Sequence, residues 1–190
     1  MTGTTRRLGT EDSATRAALL DAALQLMLED GYAAVTSRKV AARAGLKPQL
    51  VHYYFRTMDD LFVELVRRGA QQNLERQAEA LASDQPLRAL WEYVSDTASA
   101  RISMEFAALA NHRKAIGTEL ATYADQFRRL QAVALAKLLD EAGMDVGGLP
   151  GEALAFLLTA VSQVLAMEET LGMSSGHAEL RQAVERYLES

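Results

Sequence analysis

Residues 31–62 read GYAAVTSRKVAARAGLKPQLVHYYFRTMDDLF, and the fold is decided there. Residues 37–44 have helical spacing, with Val40, Ala41 and Ala44 on one inward face. Gly45 follows as a turn, and 47–54 form a second short helix ending in the aromatic run Tyr53, Tyr54, Phe55. Pro48 suits the first turn of that helix, where its missing N–H costs nothing. Five basic residues, Arg38, Lys39, Arg43, Lys47 and Arg56, fall between Thr36 and Met58, and no acid does. Two short helices across a glycine turn, basic and without a cofactor motif, predict a helix-turn-helix that reads DNA.

The distribution of charge agrees, although the chain of 190 residues has a net charge of −5. Residues 1–58 hold eight Lys/Arg against five Asp/Glu, a balance of +3, and 59–190 hold twelve against twenty, a balance of −8. An acidic body with a basic head fits a protein that touches DNA at one end only. Apolar residues make up 49%, and there are three prolines, so an all-helical fold with a real core is expected. The absence of cysteine excludes disulfides, thiolate metal sites and cysteine nucleophiles. No signal-peptide stretch opens the chain, and the longest apolar run, 153–167, is shorter than the roughly 20 residues that span a bilayer. A cytoplasmic protein without a membrane segment is expected.

Along the chain, residues 1–10 are polar and aperiodic and read as a disordered arm, with Arg6 and Arg7 available to a DNA groove. Asp12 or Ser13 can cap the first helix, whose Leu19, Leu20, Ala23, Leu26 and Met27 mark one buried face. Gly31 ends it, Tyr32 and Val35 return to the core, and Thr36 caps the second helix. Thr57-Met58-Asp59-Asp60 resembles a capping box for a fourth helix that runs to about Leu81. Further helices are expected over 86–103, 104–112, 117–143, 152–171 and 178–188, with the loop 143–151 the most obvious break. The helix over 152–171 is apolar nearly all round and must be covered on every side, which a second copy of the chain can do.

The first 62 residues resemble the TetR family of bacterial transcriptional regulators. The resemblance rests on Leu20, Ala22-Ala23, Leu26-Met27, Glu29, Gly31-Tyr32, Thr36, Val40-Ala41, Ala44-Gly45, Tyr54-Phe55 and Leu61. It implies an all-α bundle of nine or ten helices. A helix-turn-helix DNA-binding domain over 11–57 would precede a ligand-binding and dimerisation domain over 58–190. It also implies a homodimer built through 152–171 and 178–188, a palindromic double-stranded operator, a small-molecule effector and a repressor's role.

Within the head, Thr36, Ser37 and Arg38 sit at a helix N-terminus, whose free N–H groups attract phosphate. Lys47, Pro48, Gln49, Leu50 and His52 fall on the outward side of the recognition helix. Gln49 suits a bidentate contact to adenine, Lys47 a contact to guanine or phosphate, and Leu50 a thymine methyl. His52 reads equally as a DNA contact or a surface histidine. Tyr53 matches the family's phosphate-contacting aromatic, and Arg56 lies close by. The family often carries Ser or Thr, a small residue, Thr, Leu and Tyr where this chain has Lys47, Gln49, Leu50, Val51 and His52. The operator of other members therefore does not carry over.

For the body, Trp91, Met104, Phe106, Leu109, His112, Tyr123, Phe127, Phe156 and Met167 are candidate pocket walls, each of which also reads as plain core. No cofactor is implied, and the three histidines lack metal-ligand spacing. HExxH, GxGxxG, Walker and GxSxG patterns do not occur, so an enzyme is not expected. The alternative is a helical interaction scaffold, which leaves the acid-free basic window unexplained.

Overall fold

A computed structural model describes residues 4–144 and 146–189, with side chains described from Ser13 onward. Among these residues there are nine α-helices, one short 3-10 turn at Tyr32–Ala34 and no strand. The helices are α1 (Thr4–Asp30), α2 (Ser37–Arg43), α3 (Pro48–Tyr54), α4 (Met58–Leu81), α5 (Pro86–Ser95), α6 (Thr97–Ala110), α7 (Lys114–Ala142), α8 (Gly151–Thr170) and α9 (His177–Leu188). The all-α expectation holds, with nine helices.

Local chemistry accounts for several helix ends. Thr57 and Asp60 form the reciprocal box expected of them: the Asp60 N–H donates to Thr57 Oγ1 at 3.1 Å, and the Thr57 N–H donates to Asp60 Oδ2 at 3.0 Å. Two otherwise orphaned donors at the start of α4 are thereby satisfied. The N–H of Lys39 donates to Thr36 Oγ1 at 3.3 Å, which makes Thr36 the cap of α2.

Elsewhere the helix boundaries differ from expectation. The single helix expected over 86–103 breaks at Asp96, which is extended at φ −73°, ψ 97°. Its Oδ1 accepts the Ala98 N–H at 3.2 Å and its Oδ2 accepts Arg76 Nη2 at 2.7 Å, so Asp96 caps α6 and is fixed by α4. The same guanidinium holds the Asp96 carboxyl below the usual carboxylate range. α7 starts at Lys114, ahead of the opening expected at Gly117. Gly117 is a packing position inside the helix, where a Cβ would stand 3.6 Å from the Ala110 carbonyl oxygen. At the N-terminus the arm expected over 1–10 is helical from Thr4, so the caps expected at Asp12 or Ser13 fall within α1. Residues 1–3, and the side chains of Arg6 and Arg7, lie outside the described residues.

The chain divides into two compact units, one of residues 1–69 with 105–120 and the other of 70–104 with 121–190. This division falls elsewhere than the boundary expected at residue 57, because the start of α4 completes the first unit's core. Leu61, Phe62, Leu65 and Val66 are no more than 3% exposed, like Leu19, Ala23 and Met27 of α1, Val40 and Ala41 of α2, and Val51 and Phe55 of α3. Each large side chain so buried contributes about 1.5–3 kcal/mol. Around that core run Arg16–Glu64 at 2.5 Å, Arg68–Asp21 at 2.7 Å, Arg67–Glu119 at 2.6 Å and the pair Arg113–Asp59.

The second unit is organised by α5, α7 and α8. Leu90, Ala132, Leu135 and Ala155 are its buried centre, with Leu87, Tyr93, Leu154 and Leu158 packed around them. α8 is long and apolar enough to cross a membrane by length and composition, more so than the 153–167 run suggested, yet only 22% of its apolar window is buried. Its start is pressed onto α7 through Gly151, where a Cβ would lie 2.4 Å from the Ala132 carbonyl oxygen and 3.3 Å from Ala136 Cβ. Backbone cannot yield to such a clash as a flexible side chain can. Gly151→Ala is therefore expected to destabilise the protein by about 1–3 kcal/mol. Denaturant unfolding checks this, since a variant as stable as the parent would show that α8 has room to withdraw.

Candidate nucleic-acid interface

The link between α2 and α3 is made by the backbone. The Leu46 N–H reaches back to the Ala41 carbonyl at 2.8 Å, and the Gly45 N–H to that of Ala42 at 3.2 Å. This pairing requires a left-handed residue between helix and exit, and Gly45 supplies it at φ 68°. Lys47 is then extended (φ −80°, ψ 141°) and Pro48 opens α3. Val51 and Phe55, 1% and 2% exposed, anchor the inner side of α3. That anchoring turns Lys47, Pro48, Gln49, His52 and Tyr53 to the outside, all exposed, with Leu50 half-buried beside them. Tyr53 is 70% exposed, and its ring stands edge-on to Tyr54 at 5.0 Å. Of the next two aromatics, Phe55 is buried and Tyr54 half-buried.

The basic residues of the window divide by their partners. Arg43 makes a forked pair with Glu29, 3.0 Å from Nη1 to Oε1 and 2.6 Å from Nη2 to Oε2. It draws the Glu29 carboxyl below its ordinary value. Lys39 Nζ lies 3.8 Å from Asp30 Oδ2. Arg38, Lys47 and Arg56 are exposed, and no described carboxylate pairs with them. Thr36 and Arg38 are exposed, and Ser37 is half-buried, at the start of α2. The ten residues expected at a DNA contact thus belong to one unit, and the three unpaired cations are free to meet an anion. Only the fold reveals that Arg43 and Lys39 are engaged, because their acids lie on α1.

The nine candidate pocket walls do not form one group. Phe106 and Leu109 are buried at 4% and 1% in the first unit's core, and exposed His112 stacks near Tyr32 with ring centroids 6.2 Å apart. Phe156 and Met167 are 55% and 43% exposed and turn outward, so they line no interior. That leaves Trp91, Met104, Tyr123 and Phe127 in the second unit, with Trp91 buried and the others half-buried. Tyr93, absent from the expectation, joins them. Its ring is 6.2 Å from that of Phe127 and lies under the Arg76 guanidinium, and burial pushes its phenol pKa up. The same unit hides four polar atoms without a partner among the described residues: Gln77 Nε2, Ser95 Oγ, Arg128 Nε and Gln131 Oε1. Buried amides on an amphipathic helix carry no distinguishing sequence signal, so the pattern did not single them out. No group of three or more His, Asp or Glu able to hold a metal occurs among the described residues.

Comparison with known proteins places this geometry. The family described as "Bacterial regulatory proteins, tetR family" matches residues 19–65. The HTH-type transcriptional regulator BetI of Rhizobium meliloti (strain 1021) is 40% identical over 52 residues, which is 27% of this chain and 26% of that protein. An uncharacterized HTH-type transcriptional regulator in the dhlA 5' region of Xanthobacter autotrophicus is 30% identical over 141 residues, covering 68% of this chain and 70% of its own. A transcriptional regulator from Saccharomonospora viridis, solved in complex with choline, shares the fold with a TM-score of 0.76. It is 19% identical, and the match covers 93% of this chain and 96% of the other.

The division among the cations yields a measurable contrast. Lys47→Ala is expected to weaken DNA binding and to lower the salt dependence of log K by about one unit per head. Arg43→Ala, whose charge is already neutralised by Glu29, is expected to leave that slope nearly unchanged. Salt titration of both variants by fluorescence anisotropy reads the difference. Equal slopes for the two would remove Lys47 from the phosphate contacts.

Proposed function

We propose that this chain, which belongs to the tetR family of bacterial regulatory proteins and is a DNA-binding transcriptional regulator rather than an enzyme, acts in the cytoplasm as a ligand-responsive repressor. On this reading it binds a palindromic double-stranded operator as a homodimer. The observation that carries the reading is the outer side of α3. There Lys47, Pro48, Gln49, His52 and Tyr53 are exposed together, while Val51 and Phe55 fix the helix from beneath. On this reading Gln49 reads a base edge, and Tyr53, Lys47, Arg38 and Arg56 hold phosphates on either side. A two-fold dimer presents two such helices to half-sites about one helical turn apart, which is why the operator is read as palindromic.

The effector reading is supported by the second unit. Buried polar groups are ordinarily paired, and Gln77, Ser95 and Gln131 each keep an atom that is not. A hydrogen-bonding small molecule seated near Trp91, Tyr93 and Phe127 would satisfy such atoms. The choline complex of the Saccharomonospora viridis relative lends weight to a small-molecule effector of some kind.

Footprinting on DNA from around the protein's own gene, at two salt concentrations, tests the main reading. A protected, roughly palindromic site whose affinity falls steeply with salt is the expected result. Binding no tighter than to random DNA would count against local repression and favour the scaffold. The effector reading has its own check. Gln131→Leu removes the orphaned acceptor, so the effector-free variant is expected to keep its operator affinity and to gain about 1 kcal/mol of stability in thermal unfolding. A loss of stability would mean that Oε1 has a partner already.

A further inference from the structure

Two of the orphaned atoms in the second unit belong to amides. Gln77, on α4, is 2% exposed and keeps Nε2 without a partner among the described residues, and Gln131, on α7, is 1% exposed and keeps Oε1. Side-chain amides buried this deeply are ordinarily paired. Here one lacks an acceptor and the other a donor. Each has what the other needs, yet the two do not bond to each other.

One aromatic pair marks where their helices come together. The guanidinium of Arg76, the residue before Gln77, lies 5.2 Å from the centroid of the Tyr93 ring. Arg76 is held there by Asp96 and Ser99, at 2.7 Å each. The Tyr93 ring is in turn 6.2 Å from that of Phe127, which stands about one helical turn before Gln131. α4, α5 and α7 thus meet at Tyr93, with an orphaned amide close to the meeting point on α4 and on α7. Arg128 Nε, the other orphan of α7, serves a different direction, since its guanidinium lies over Phe156, which turns outward.

Charge narrows what can sit there. The half-buried carboxylates among the described residues of this unit are Asp96, Glu168 and Glu185, and they pair with Arg76, His177 and Arg88. Of the half-buried arginines, Arg88 and Arg181 pair with Glu185 and Glu169, and Arg128 is the one over Phe156. A charged ligand would give up its hydration without meeting an unpaired opposite charge beside Tyr93. A cationic head also offers no acceptor to Gln77, and a carboxylate head no donor to Gln131.

We propose that the effector is an uncharged molecule with an amide-like head, a carbonyl beside an N–H, on an apolar body. Its carbonyl accepts from Gln77 Nε2 and its N–H donates to Gln131 Oε1, while Tyr93 and Phe127 cover the body. Turning both glutamine amides over reverses these roles and leaves the same requirement. The inference rests on the effector reading and gives that effector a chemical class.

Three probes that share one cyclohexane ring and differ in the head test it: cyclohexanecarboxamide, cyclohexanecarboxylate and cyclohexylmethylammonium. None absorbs where tryptophan does, so the emission of Trp91, the chain's single tryptophan and two residues from Tyr93, reads binding to the full chain. The carboxamide is expected to shift that emission saturably, and the two charged probes to leave it unchanged at about tenfold higher concentration. Gln131→Leu and Gln77→Leu are each expected to raise the Kd of the carboxamide at least about tenfold. Leucine is close in size to glutamine, circular dichroism shows which variant is folded, and one folded variant suffices. A charged probe that saturates instead, with binding abolished by Gln131→Leu, would overturn the uncharged class and leave the effector reading standing. A carboxamide that binds the variants as tightly as the parent would overturn the placement between the two amides. Binding of no probe would overturn the proposal, and the effector reading falls with it only if Gln131→Leu also loses stability, since Oε1 then has a partner already.

Discussion

The turn at Gly45 fixes what α3 can do. Its φ of 68° lets the Leu46 amide reach the Ala41 carbonyl, so α2 closes and α3 starts within a few residues. A side chain at that φ would cost roughly 1 kcal/mol or more and would act on the geometry that aims α3. Everything outward-facing on α3 follows from this turn together with the burial of Val51 and Phe55. The inner and outer residues are interleaved along one short helix: the inner side holds the helix still, and the outer side is free to vary without loosening it.

The same separation runs through the charged residues of the head. Arg43 and Lys39 are committed to Glu29 and Asp30, and they tie α2 to the end of α1. Exposed pairs of this kind contribute little stability, roughly 0–1 kcal/mol, but each neutralises a cation that a phosphate would otherwise find. The net charge of the window thus overstates its pull on DNA. Arg38, Lys47 and Arg56 are the cations of the window that no described carboxylate pairs with.

Legibility in the sequence followed the range of the interaction. Thr57 and Asp60 announce their helix because both partners of the box stand within one turn, and Gly45 announces its turn because the requirement is on its own φ. Asp96, Gly117 and Gly151 are silent in the sequence for the opposite reason. Asp96 breaks a helix with the help of Arg76, twenty residues away, and the two glycines serve close approach to Ala110 and Ala132, not chain reversal. Of the site, the outward residues of α3 were readable because helical periodicity sorts them. The body's aromatics were not, since Phe106 and Phe156 look alike in sequence and end up on opposite sides of the burial divide. The orphaned amides of Gln77 and Gln131 were invisible, because lacking a partner is a property of three-dimensional surroundings alone.

The bare stripe of α8 also bears on how much of this protein a cell can hold. A chain newly released from the ribosome exposes Phe156, Leu157, Val164 and Met167 until something covers them. Dilute chains spend longer in that condition, where chaperones, proteases and unwanted partners compete for the same surface, and stability becomes a function of protomer concentration. On the homodimer reading, abundance is then part of the folding problem: dilute chains keep the stripe exposed for longer, and concentrated ones cover it sooner.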